Sequence, residues 1–228
     1  MEVIPAIMPD SSDDLLDKLD KVAGLVSTVQ LDVMDGDYVE SVSWPYFASQ
    51  YEELELIREG ERLLPQHEEL FWEVDLMVID PEMEALRWAK SGARRLIVHL
   101  GSIRDVDTLD WLILHFRRPG EMELGLAVNS SVDIEALAVY AREVDMIQFM
   151  GIERIGYQGQ PFDAHVIDSI RSLREQDQNV IISVDGGVTI ETAPLLVDAG
   201  ANRLVSGSGI FSADDPAQAI DALHHVGD

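Results

Sequence analysis

Eight short β-rich runs, each followed by a helical pattern, succeed one another along the whole sequence, and no other feature restricts the fold as tightly. The runs are EVIPAIM (2–8), TVQLDVM (28–34), WEVDLMV (72–78), RLIVHL (95–100), ELGLAV (123–128), DMIQFM (145–150), VIISVD (180–185) and NRLVSG (202–207). Helical patterns lie near residues 12–23, 50–59, 81–91, 105–116, 132–142, 163–176, 190–199 and 214–226. Asp80-Pro81 marks one helix start, Ser91-Gly92 its end, and Thr189 with Glu191 behind it suggests another N-cap. Strands alternating with helices require parallel pairing through right-handed crossovers. Eight such units in 228 residues predict an α/β protein closed into a (β/α)8 TIM barrel rather than an open, doubly wound sheet.

Apolar and turn residues are spread evenly, with no linker or low-complexity segment, so a single domain is expected over residues 1–228. The chain carries 43 acidic against 16 basic residues, a formal charge of −27, and has no cluster of Lys and Arg. A phosphate backbone or an anionic membrane surface is therefore an unsuitable partner. Acids such as Asp13, Asp14, Asp17 and Asp20 fall on helix faces, which suits a solvated surface or adaptation to high salt. The absence of cysteine excludes disulfides, thiolate metal sites and a Cys nucleophile. No leader pattern and no apolar run near the roughly 18 residues of a spanning helix is present, so a cytoplasmic protein is expected. Homo-oligomerisation stays open.

In a (β/α)8 barrel the active site forms where the strands end and the following loops begin. Asp32 stands near the end of the second run, and Asp75 and Asp185 occupy similar places on the third and seventh. Three acids on three strands would converge on one mouth. Any one of them alone could instead cap a helix or bind a loop amide. The glycine-rich turns after the seventh and eighth runs, Gly186-Gly187 and Gly207-Ser208, can offer backbone amides to a phosphate, although such sequences also make ordinary tight turns. Met34, Met77 and Met150 fall near the mouth, where core filling is the usual role of methionine.

In order along the chain, IPAI, LDVMDG (31–36), DLMV (75–78), VHL (98–100), GLAVN (125–129), GYQGQPF (156–162), VDGGV (184–188) and SGSGIF (206–211) resemble the ribulose-phosphate 3-epimerase family of ribulose-phosphate-binding barrels. The resemblance implies interconversion of D-ribulose 5-phosphate and D-xylulose 5-phosphate through an enediolate, as in pentose phosphate metabolism. Asp32 and Asp185 would be the two acid/base groups on opposite faces of carbon 3. It sets Met34 and Met77 beside that carbon, and phosphate over the turns containing Gly186, Gly187, Gly207 and Ser208. Gly156 and Gly159 belong to the segment that would close over substrate. Apart from the resemblance, His99 at the end of the fourth run could supply a nitrogen ligand, although a lone strand histidine is more often hydrogen-bonded structure or a substrate contact.

The chain departs from the family pattern at the metal site, which usually takes two His and two Asp. The histidine positions read Gln30 and Asp75, and Ala6 stands where a serine is expected. Gln30, Asp32, Asp75 and Asp185 would surround a divalent cation with oxygen, favouring Mg or Mn over Zn or Fe. Met34 occupies the place where related decarboxylases and hexulose-phosphate synthases need the lysine of an Asp-x-Lys pattern. A non-catalytic sugar-phosphate binder and another ketose-phosphate isomerase or aldolase are the alternatives.

Overall fold

The computed structural model describes residues 1–118 and 120–227. Eight parallel strands form a closed barrel in chain order: β1 (Glu2–Ile7), β2 (Thr28–Met34), β3 (Phe71–Met77), β4 (Arg95–His99), β5 (Glu123–Asn129), β6 (Met146–Met150), β7 (Ile182–Asp185) and β8 (Arg203–Ser206). The helices are α1 (Ser12–Asp20), α2 (Tyr51–Glu59), α3 (Pro81–Lys90), α4 (Val106–Phe116), α5 (Ile134–Tyr140), α6 (His165–Gln176), α7 (Ala193–Ala199), α8 (Ser208–Phe211) and α9 (Pro216–His224). The expected fold is the observed one. Every predicted strand and helix forms, and the four-residue α8 follows β8.

Helix starts follow local chemistry. Ser11 accepts from the Asp14 amide ahead of α1, Asp105 from Thr108 ahead of α4, and Asp215 from Ala217 and Gln218 ahead of α9. Pro81 opens α3 as expected, but the Asp80 carboxylate is engaged by Arg104 and makes no cap bond. The N-cap expected at Thr189 lies elsewhere: α7 begins at Ala193, with Thr192 as N-cap and Pro194 in the first turn. Thr189 instead closes a small turn, its hydroxyl accepting from the Glu191 and Thr192 amides.

The chain packs as two compact units, residues 6–125 and residues 1–5 with 126–228. In the first unit β2 and β3 pair in register from Thr28 opposite Phe71 to Met34 opposite Met77, which sets Asp32 beside Asp75. Val29, Leu31, Val33, Trp72, Val74 and Leu76 are buried along alternate positions. The intervening positions are polar and equally buried, among them Gln30, Glu73 and Arg95. Arg95 is held by Glu73 and donates through Nε to Glu123 Oε2 at 2.8 Å. Buried charges tolerate this position only when paired and hydrogen-bonded.

The second unit repeats the device. Arg203 donates through Nε to Glu2 Oε2 at 2.9 Å, across the β1–β8 pairing that sets Glu2 opposite Arg203. Asp185 closes β7, opposite Met150 on β6 and Val205 on β8.

Candidate active site

Period-two alternation brings Gln30, Asp32 and Met34 to one face of β2, and Glu73, Asp75 and Met77 to the same face of β3. All six are buried. Gln30 Nε2 donates to Asp32 Oδ1 at 2.8 Å, and His99 Nε2 lies 2.8 Å from Asp75 Oδ1. An ionised carboxylate only accepts, so with Asp75 ionised this contact needs the proton on Nε2 of His99. The two positions that depart from the family pattern therefore each join a short polar pair within the protein.

The other acid of LDVMDG has a different task. Asp35 Oδ1 accepts from the Asp37 and Tyr38 amides, and Oδ2 accepts from the Ile79 amide at 2.9 Å. One carboxylate thus ties the loop after β2 to the loop after β3. Ser43 braces the same loop, donating to the Asp32 carbonyl and accepting from the Met34 amide.

That bracing positions Tyr38, a residue the sequence gave no reason to single out. The Tyr38 ring lies 5.5 Å from the His99 ring, tilted by 53°. Burial, and after it the charge of Asp75, push the phenol up to about 12. Its one legible signal was adjacency to the LDVMDG run.

In the second unit, the turn after β7 carries Gly186 and Gly187 at φ +92° and +67°. A side chain on Gly151, just beyond β6, would stand 2.2 Å from the Gly186 carbonyl, so the two turns meet backbone to backbone. Phe162 packs on Gly187, which anchors one end of the segment 156–162. Gly156 and Gly159 both have positive φ. Gly207 caps α8 and Ser208 begins it. The loop after β6 carries Arg154, exposed and stacked 4.2 Å from the Tyr157 ring centre.

Asp32 and Asp75 stand side by side on β2 and β3, Asp185 closes β7, and all three are buried. Buried neighbouring carboxylates such as Asp32 and Asp75 repel one another unless a cation or a proton intervenes. Oxygen ligands of this kind suit a hard divalent ion.

The fold and these buried acids define a (β/α)8 barrel of the kind that gathers its chemistry at the strand ends. Residues 2–211 match the ribulose-phosphate 3 epimerase family, and the chain belongs to it. Among its relatives is the ribulose-phosphate 3-epimerase of Bacillus subtilis, 28% identical over 205 residues, covering 88% of this chain and 87% of that one. The cytoplasmic isoform from Oryza sativa subsp. japonica is 27% identical over 230 residues, covering 97% and 92%. Among solved structures, a 3-hexulose-6-phosphate synthase superposes with a TM-score of 0.70 at 23% identity, covering 99% of both chains. That likeness is one of fold.

Proposed function

We propose that the chain is a ketose-phosphate 3-epimerase, a single-domain cytoplasmic barrel with D-ribulose 5-phosphate and D-xylulose 5-phosphate as its first substrate pair. The observation that carries the reading is the match of residues 2–211 to the ribulose-phosphate 3 epimerase family, with Asp32 and Asp185 both buried on barrel strands. Epimerisation needs two proton-transfer groups addressing one carbon. In this reading one carboxylate takes the proton from carbon 3, leaving an enediolate, and the other, initially protonated, delivers a proton to the opposite face. The reverse reaction restores both.

Met34 and Met77 line this place with side chains that have no proton to give, which limits stray protonation. Amides at Gly186, Gly187, Gly207 and Ser208 receive the phosphate, and the segment containing Gly156 and Gly159 excludes water. His99 orients Asp75. Asp32, Asp75 and Asp185, with Gln30, would hold a divalent ion, Mg or Mn before Zn or Fe, and its charge would offset the developing oxyanion.

Incubation with D-ribulose 5-phosphate in deuterated water tests the reading: deuterium should enter at carbon 3 as D-xylulose 5-phosphate forms. Neither turnover nor exchange with any pentulose or hexulose phosphate, across metals and salt, would refute it. One observation favours a second reading, a sugar-phosphate binder without catalysis: no imidazole stands at position 30 or 75. Calorimetric binding of a ketose phosphate without exchange would select it.

A further inference from the structure

The Tyr38 hydroxyl is held in place by its surroundings. The amide of this residue is fixed on Asp35 Oδ1 at 3.1 Å, and the ring rests against His99. A methyl group on Gly101, just beyond β4, would stand 2.7 Å from the hydroxyl oxygen. The glycine therefore leaves the space that the hydroxyl fills. Among the described residues the hydroxyl has no hydrogen-bond partner. With a phenol pKa of about 12 it keeps its proton at any working pH and remains a donor.

We propose that Tyr38 is a specificity residue, donating a hydrogen bond to the hydroxyl on carbon 1 of the ketose phosphate, the end remote from the phosphate. This rests on the function proposed above. In the function proposed above the turns after β7 and β8 take the phosphate, and the side chains of β2, β4 and their loops take the carbon-1 end. Tyr38 and His99 are polar groups that those elements bring together. A donor fixed before substrate arrives loses little entropy on binding. A site built to pair a hydroxyl discriminates against the analogue lacking it.

The test is a cycle of two proteins and two ligands, read by calorimetry. Wild type should bind a 2-pentulose 5-phosphate about 5- to 10-fold more tightly than its 1-deoxy analogue, the range of one neutral hydrogen bond. Tyr38→Phe should bind both ligands alike, at the wild-type affinity for the deoxy compound. Gly101→Ala, which displaces the hydroxyl, should lose the same discrimination. Undiminished discrimination in Tyr38→Phe, or equal weakening toward both ligands, overturns the assignment. Failure of wild type to bind either ligand sinks the sugar-phosphate reading and this assignment with it, an outcome visible without any variant.

Discussion

Gln30 Nε2 donates to Asp32 Oδ1 at 2.8 Å, so the residue that stands in place of an expected imidazole is bonded to the carboxylate it would have joined on a metal. An amide cannot take up or release a proton near neutral pH. The pair therefore fixes the orientation of Asp32 without setting its charge. One strand away, Asp75 stands where the family pattern has a histidine, and His99 is its partner.

Asp32→Asn and Asp185→Asn should each lower turnover by about 10²–10⁴-fold, the usual loss on removing a positioned acid or base. Both variants should stay folded. Each carboxylate is buried, and neutralising a buried carboxylate removes a desolvation cost, so in chelator the melting temperature should hold or rise. Steady-state kinetics and thermal melts check the two halves, and a variant that keeps most of its activity would remove that residue from proton transfer.

Chelation should abolish activity, and Mg or Mn should restore it more readily than Zn. Asp75→Ala should weaken cation binding measured by calorimetry as well as turnover. Gln30→His combined with Asp75→His should shift preference toward Zn or Fe by supplying nitrogen donors. Full activity in protein shown by elemental analysis to be free of divalent metal would refute the metal requirement, leaving protein donors to stabilise the enediolate.

Arg95→Met should destabilise the protein by about 3–5 kcal/mol, the usual cost of removing one partner from a buried ion pair. Glu73 is fully buried and loses its Arg95 contact, whereas Glu123 is partly exposed and can turn to water. Urea denaturation of Arg95→Met, Glu73→Gln and the double variant separates the terms. The double variant should lose less than the two single losses combined.

Asp163 accepts from both Nδ1 and the amide of His165, at 2.8 and 3.1 Å, and from the Ser130 hydroxyl. The hydrogen bond to Asp163, and then its charge, raise the His165 imidazole above its ordinary range. The Ser130 hydrogen bond leads the causes that hold Asp163 below the carboxylate range. A histidine raised on folding stabilises fully below its unfolded value of about 6.5, and that contribution disappears as pH climbs through the folded value. For Asp163 the contribution is present above the unfolded carboxylate value and disappears as pH falls through the lower folded one. NMR titration should find His165 above the ordinary range and Asp163→Asn should return it; an unmoved titration would contradict the pairing.

The barrel was legible because its signals are local. TVQLDVM becomes β2 residue for residue, and the alternation along it already separates Gln30, Asp32 and Met34 from Val29, Leu31 and Val33. Turn and cap residues adjoin the elements they bound, so the helix positions were also readable, with Thr189 misplaced because Pro194 belongs to a helix that starts later.

What the tertiary structure decided is which side chains meet. The Asp75–His99 pair depends on the neighbouring placement of β3 and β4, and the Asp35 bond to the Ile79 amide depends on the paths of two loops distant in sequence. Tyr38 over Gly101, Gly151 against Gly186 and Arg95 between Glu73 and Glu123 were invisible for the same reason. Periodicity assigns a residue to a face because backbone geometry repeats every two or 3.6 residues. It carries no information about the distance to a side chain on another strand, which register and packing alone determine.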